Sequence, residues 1–103
     1  MIYHTNSSDM EEDVEELYSS KEEPVEVLEI NILKVSNAGV LRAYIEREKI
    51  AEIPTESVNI LNSLVIPINA KIPEGQKFKI TLQNIVSGTN AQVIGYIRYH
   101  IGT

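Results

Sequence analysis

The stretch LVIPINAKIPEGQKFKITLQN, residues 64–84, alternates apolar and polar side chains on both sides of a central turn. A period of two residues places successive side chains on opposite faces of a β-strand. The turn PEGQ has proline first and glycine third, which is typical of a tight reversal. Pro67 cannot donate a ladder hydrogen bond and therefore favours either an edge strand or the end of the strand. The stretch predicts two antiparallel strands whose inward side chains are Leu64, Ile66, Ile68, Ala70, Ile72, Phe78, Ile80 and Leu82.

The chain after this stretch continues the β pattern. SGTN, residues 87–90, has turn composition, and QVIGYIRYHI, residues 92–101, alternates again. We predict two hairpin connections and antiparallel sheet in this region. A glycine in an apolar strand, Gly95, indicates a bulge or the close approach of another backbone. One face of this strand carries Val93, Gly95, Ile97, Tyr99 and Ile101.

The segment VEVLEINILKV, residues 25–35, has two apolar sets in opposite phase. Val25 and Val27 form one set, and Leu28, Ile30 and Ile32 form the other. One extra residue in a strand resets its phase, so we predict a β-bulge near Val27 and Leu28. SNAG, residues 36–39, then predicts a turn.

The segment GVLRAYIEREKIAEIP, residues 39–54, leaves two interpretations open. Leu41, Ala43 and Ile45 alternate as in a strand, whereas Arg42 and Glu46 have the i,i+4 spacing of a helical ion pair. Its many Glu, Arg, Lys and Ala residues are good helix formers. The neighbouring turn and the β character of the rest of the chain favour a strand.

The acidic segment SSDMEEDVEELYSS, residues 7–20, predicts a short amphipathic helix. Ser8 and Glu11 match the capping box S-x-x-E, and Pro24 ends any continuation. A helix this short needs a surface to lie on, because it is marginal alone in water. That surface is either this protein's own sheet or a neighbouring subunit. The apolar stripe, spaced i, i+4, i+7 and i+8, is a candidate partner-binding site: Met10, Val14, Leu17 and Tyr18.

Composition and charge complete the fold prediction. The chain has 103 residues with 43% hydrophobic residues, one Phe and no Trp, which suits one domain whose core is built from Ile, Val and Leu. Residues 1–30 contain ten acids against Lys21 alone, whereas residues 31–103 contain five acids against eight bases. We predict a mainly β chain: an acidic N-terminal arm with one short helix (residues 1–23) and an antiparallel, jelly-roll-like β-sandwich (residues 24–103). The difference in charge between the acidic arm and the rest of the chain suggests that the arm is an interaction tail.

Catalytic and metal-binding signatures are missing from the sequence. There is no cysteine, and His4 and His100 are the only histidines. Asp9, Glu11 and Asp13 resemble the start of a calcium loop, but Val14 stands where the turn needs glycine. We therefore expect a protein that is not an enzyme and has no cofactor or metal.

The sequence also bears on membranes and nucleic acids. No run approaches the roughly 18 apolar residues of a membrane span, and no signal peptide is evident, so we expect a soluble protein of the cytoplasm or a virion. The acidic arm would repel phosphate, so we expect no direct contact with nucleic acid. Tyr44 and Tyr96 are amphipathic rings of the kind found in binding grooves and form a candidate ligand surface.

The C-terminal part, LVIPINAKIPEGQKFKITLQNIVSGTNAQVIGYIRYHI, resembles the closing strands of small β-sandwich or jelly-roll proteins that accompany the capsids of phages and archaeal viruses. The resemblance implies a structural or decoration role in a virion, with many copies packing through sheet edges and terminal arms. It carries no functional residue over, because the shared pattern is structural. The expected partners are other copies of the chain, in a homo-oligomer, or other assembly subunits.

Two other functions remain open at this point. A β-sandwich surface with exposed tyrosines suits a module that binds carbohydrate or protein. Alternatively, the acidic arm suits an inhibitor or regulator of a basic partner.

Overall fold

The alternating segments form eight β-strands in a computed structural model that describes residues 2–36, 39–54, 64–85 and 88–102. No helix occurs in these ranges, so the predicted N-terminal helix is wrong. The strands are β1 (Ile2–Asn6), β2 (Glu12–Tyr18), β3 (Val25–Ser36), β4 (Gly39–Ile45), β5 (Glu48–Pro54), β6 (Leu64–Lys71), β7 (Lys77–Asn84) and β8 (Ala91–Ile101).

The strands form two antiparallel sheets of four. Sheet 1 has the order β1-β8-β3-β6, and sheet 2 has the order β2-β7-β4-β5. β4 and β5 are the one pair of consecutive strands in the described chain that lie side by side in a sheet. The described part of the acidic segment 1–23 contributes β1 to sheet 1 and β2 to sheet 2.

The two predicted hairpin connections are therefore wrong, although the strands they join are confirmed. The chain passes from β6 in sheet 1 to β7 in sheet 2 and back to β8 in sheet 1. The PEGQ turn forms as predicted, with the Gln76 N–H donating to the Pro73 carbonyl at 3.0 Å and Gly75 at a φ of 82°. Turn chemistry reverses the chain but does not decide whether the next strand pairs or crosses to the facing sheet.

Both sheets contribute to one hydrophobic core, as expected for a β-sandwich. The predicted inward positions of β7, Phe78, Ile80 and Leu82, are at most 1% exposed. From sheet 1 they meet Val27 and Ile30, which are equally buried. Burying each such side chain contributes about 1.5–3 kcal/mol.

The bulge predicted in β3 is confirmed. The pairing of β3 with β8 shifts between Val27 and Glu29, which leaves Leu28 as the extra residue. The pairing with β6 shifts at the same place, but there the extra residue lies on β6. Val27 and Ile30 therefore both reach the core despite their odd spacing. A second shift lies between Ile32 and Lys34.

The helix prediction failed because side chains near Asn6 build a different turn. The Asn6 Oδ1 accepts the Ser8 N–H at 2.7 Å, and the Ser8 hydroxyl accepts the Met10 N–H at 3.1 Å. Ser8 thus closes a local turn instead of capping a helix. The segment after it pairs with β7, where a bulge between Asp13 and Glu15 adds one residue. Tertiary pairing outweighs a weak local helix preference.

Three other expectations are confirmed. Residues 39–54 form strands, with a turn in which Glu46 has a φ of 56°. Pro67 lies in β6, at an edge of sheet 1. A Cβ on Gly95 would lie 2.2 Å from the backbone oxygen of Asn31, so this glycine marks a close approach of β8 to β3. The predicted turn at 36–39 includes residues 37 and 38, which lie outside the described residues.

Candidate functional site

The predicted apolar stripe is split between the interior and the surface. Val14 and Leu17 are partly buried and pack against this domain's own core. Met10 and Tyr18 are 71% and 64% exposed. The four side chains therefore do not form one continuous face.

The two predicted ligand-surface tyrosines lie on opposite sides of the molecule. Tyr44 is on the outer face of sheet 2, opposite Lys79 in the neighbouring strand. Tyr96 is on the outer face of sheet 1, opposite Asn31. They belong to two surfaces with different chemistry.

Glu11 is the centre of the outer face of sheet 2. Its Oε2 accepts hydrogen bonds from the Tyr44 hydroxyl at 2.6 Å and the Thr81 hydroxyl at 2.7 Å. Partial burial opposes the charged carboxylate, but these two hydrogen bonds, with Arg42 and Lys79 nearby, outweigh it and lower the pKa of Glu11. The hydrogen bond to Glu11, reinforced by burial, raises the pKa of Tyr44.

Ion pairs cover the rest of this face. The Arg42 Nε donates to Glu52 at 2.9 Å, and its Nη1 donates to the Gln83 Oε1 at 2.8 Å. Hydrogen bonds from Lys49 and then Arg42 lower the pKa of Glu52. Two further pairs join β7 to β2: Lys79 with Asp13 at 3.6 Å, and Lys77 with Glu16 at 3.5 Å. The charged groups therefore have partners within the sheet, and the face is typical of a solvated surface.

The outer face of sheet 1 is apolar by comparison. Tyr3, Leu33, Val65 and Tyr96 are all exposed, and Ile94 is partly exposed among them. Strand pairing brings four of them together, because Tyr3 lies opposite Ile94, while Tyr96 and Val65 both lie opposite Asn31. On its other side Ile94 lies opposite the exposed Lys34. We call this patch the apolar face: Tyr3, Leu33, Val65, Ile94 and Tyr96.

A buried amide lies within the apolar face. Asn31 sits between the core residues Ile30 and Ile32 in β3 and is 6% exposed. Its Nδ2 has no hydrogen-bond partner among the described residues. A buried donor without a partner is rare and costs free energy, so this group calls for a ligand or an ordered water.

The apolar face was only partly visible in the sequence. Ile94 and Tyr96 were predicted to lie on the face of β8 opposite its inward set. Tyr3, Leu33 and Val65 were missed. The available signal for Val65 was its phase, because it is apolar yet alternates with the inward residues Leu64 and Ile66.

The remaining ionisable groups include one set that shares a cavity: Glu26, Lys71 and His100 line a space of about 450 Å³. His4 lies 3.8 Å from Glu12, and His100 lies opposite Glu26 at another place in sheet 1. Within the described ranges, no three potential metal ligands come together, and no helix is long and apolar enough to cross a bilayer. No protein-family model matches the chain, and no curated protein or solved structure matches it.

Proposed function

We propose that this chain is a non-enzymatic structural protein that assembles with other copies of itself through sheet 1, as a capsid or decoration component of a virion. The observation that carries the proposal is the apolar face, five exposed or partly exposed apolar side chains on sheet 1, whereas the outer face of sheet 2 carries a network of ion pairs. Large exposed apolar patches mark interaction sites, and tyrosine is enriched at interfaces.

The strand order supports the virion assignment. Sheets of order β1-β8-β3-β6 and β2-β7-β4-β5 match eight strands wound as a jelly roll. Jelly rolls serve as viral capsid and lectin domains, in line with the resemblance of the C-terminal strands. A fold alone does not fix a function, so the apolar face remains the decisive feature.

The acidic segment has a supporting role in this proposal. Val14 and Leu17 stabilise the domain itself, whereas Met10 and Tyr18 are free to contact a neighbouring subunit. The acids on β2 keep this edge of sheet 2 soluble.

Light scattering at increasing protein concentration tests the proposal. We expect the full chain to form oligomers, and we expect Tyr96→Ser combined with Leu33→Ser to reduce the mass toward one chain. Ile50→Ser is the matched control, because Ile50 is an exposed apolar residue on β5 of the other sheet. A wild-type chain that stays monomeric at every concentration contradicts the proposal.

A second candidate function is binding of a carbohydrate on the same face. The observation that favours it is the Asn31 Nδ2, a donor without a partner among the described residues, in a residue that lies opposite Tyr96 in the strand pairing. An amide next to an aromatic platform suits a sugar hydroxyl and the apolar face of its ring. Titration of a panel of oligosaccharides, monitored by NMR, tests it: binding that is lost in Asn31→Ala supports this function, and no binding across the panel contradicts it.

A further inference from the structure

Strand β8 is longer than the strand that covers its outer edge. On one side β3 pairs with β8 from Gln92 to Ile101, but on the other side β1 pairs only from Ala91 to Gly95. No described strand pairs with residues 97–101 of β8 on that side. We call residues 97–101 the open edge.

The backbone of the open edge points outward at alternate residues. The Gly102 N–H donates to the Pro24 carbonyl at 3.0 Å, so the backbone of residue 102 points toward the β3 side of β8. The next carbonyl, that of Val25, points the other way and accepts the Ile72 N–H, just after β6. The residues of an antiparallel strand alternate between its two neighbours. His100 therefore bonds toward β3, and three residues present their N–H and C=O groups to the open edge: Ile97, Tyr99 and Ile101.

Three other edge strands, β6, β5 and β2, carry protection against an added strand, whereas the open edge has only the exposed charge of Arg98. β6 contains Pro67, β5 has exposed charges including Glu48, and β2 is acidic and bulged between Asp13 and Glu15. These are the usual devices against strand addition. The open edge reads Ile-Arg-Tyr-His-Ile, with no proline, acid or extra residue, and its Tyr99 and Ile101 are 42% and 46% exposed.

A groove beside the open edge can receive side chains of an added strand. It has a volume of about 140 Å³ and lies between the sheets, lined by Ile2, Glu15, Leu17, Ile97 and Tyr99. A strand paired with residues 97–101 would direct every second side chain to this side of sheet 1. Backbone pairing and an apolar pocket together are the features of recognition by strand addition.

We propose that the open edge pairs antiparallel with the open edge of a second copy, about a two-fold axis at Tyr99. This inference rests on the proposed self-association and adds a second contact to it, at an edge of sheet 1. A two-fold interface must be self-complementary, and the pattern apolar-basic-aromatic-basic-apolar reads the same in both directions. Tyr99 faces Tyr99 of the other copy, and Ile97 faces Ile101, which enters the groove.

The two paired edges would be held together by backbone hydrogen bonds. Three residue pairs with outward backbone groups would exchange about six hydrogen bonds. The result is a sheet that continues from β3 and β8 of one copy into β8 and β3 of the other.

Electrostatic repulsion between the two copies opposes this contact, so the contact should depend on salt concentration in a characteristic way. Each copy carries a net charge of −6, and the acidic strand β2 borders the groove through Glu15. Salt screens such repulsion, so the edge dimer should strengthen as salt rises. A contact between an acidic arm and a basic body would weaken instead.

Single cysteines test the axis directly, because the chain has none of its own. Residue 99 is expected to meet itself with a Cα separation of about 5.5 Å, which is within disulfide range. Tyr99→Cys should form a covalent dimer under mild oxidation, seen by mass spectrometry. Ile50→Cys, exposed on the other sheet, is the control for random collision. Equal yields for the two variants overturn the inference.

Proline variants give a second, independent readout. Tyr99→Pro removes an N–H that points to the open edge and leaves the ladder with β3, so we expect a folded chain by circular dichroism and a smaller assembly than wild type by light scattering. His100→Pro removes an N–H that pairs with Glu26 and should destabilise the fold. If Tyr99→Pro keeps the wild-type mass while Tyr96→Ser with Leu33→Ser lowers it, the edge inference fails and the proposed function stands. A monomeric wild-type chain overturns both.

Discussion

Replacing Asn6 with alanine is expected to lower the free energy of unfolding by about 3–4 kcal/mol. Asn6 is fully buried at the end of β1. Its Nδ2 donates to the Leu82 carbonyl at 2.7 Å and to the Met10 carbonyl at 2.8 Å, and its Oδ1 accepts the Ser8 N–H. One side chain thus holds the turn between β1 and β2 against β7 of the other sheet.

The magnitude follows from these three bonds. Each contributes about 1 kcal/mol net, and a buried carbonyl left without this donor adds a further penalty. Domains of this size are stable by only about 5–15 kcal/mol, so the loss is a large share of the total. Urea denaturation at neutral pH measures it. A loss below about 1 kcal/mol would refute the reasoning, because it would mean that the Asn6 bonds exchange for water at no cost.

Asn6→Asp is the matched variant, because it keeps the shape and removes the two donors. Burial beside two carbonyls should raise the pKa of the introduced carboxyl above its unfolded value of about 3.9. A carboxyl whose pKa is higher in the folded state than in the unfolded state destabilises the fold as pH rises above the unfolded-state pKa. We expect Asn6→Asp to be less stable than Asn6→Ala at pH 7 and to recover relative to it below about pH 4. Equal stability of the two variants at both pH values would contradict the hydrogen-bond geometry.

Three further substitutions test other parts of the structure. Gly95→Ala places a Cβ 2.2 Å from the Asn31 backbone oxygen and should cost about 3 kcal/mol in urea denaturation; a change under about 1 kcal/mol would show that the strands move apart freely. Glu11→Gln should lower the free energy of unfolding by about 1 kcal/mol at pH 7. The difference from wild type in thermal unfolding should vanish as pH falls through the acid range, because a carboxyl whose pKa is lowered by folding stops stabilising the fold once it is protonated. A difference that persists at low pH would contradict this. Ser19→Ala removes a buried acceptor and should cost about 1–2 kcal/mol in thermal unfolding, whereas Ser20→Ala removes an exposed one and should cost little; equal effects would contradict the role of burial.

Strand positions were predictable wherever one face is buried. Phe78, Ile80 and Leu82 alternate with polar residues because one side of β7 meets the core and the other meets solvent. The phase change at Val27 and Leu28 predicted a bulge because both apolar sets had to reach the same core. These features depend on local pattern and on a two-residue period.

Features that depend on distant partners were not predictable in the same way. Ser8 and Glu11 satisfy a helix-capping pattern, yet the Ser8 hydroxyl closes a turn and Glu11 bonds Tyr44 and Thr81. Nothing near Glu11 in the sequence identifies those partners. Likewise, turn residues reveal a reversal after β6, but the crossing to sheet 2 depends on where β3 and β4 have already paired.

The residues of the candidate site were also predictable only where they depend on local pattern. The sequence identified Tyr96 on an outward face of β8, because strand alternation is local. It could not place Tyr3 beside Ile94, since β1 and β8 come from opposite ends of the chain. The open edge was equally hidden, because it results from β1 being shorter than β8.

The pairing of β1 with β8 also dictates the order of events during synthesis. Ile2 and Asn6 lie opposite Gly95 and Ala91, so β1 has no partner on this side until β8 has been made. β3, which has β8 and β6 as its neighbours, waits as well. Closing loops of this length is slow, on a scale of roughly milliseconds to seconds for β-rich domains. The nascent chain therefore carries the apolar residues of β1 and β3 without their β8 partner until β8 has been made, and its yield in a cell will depend on how well other proteins shield those strands in that interval.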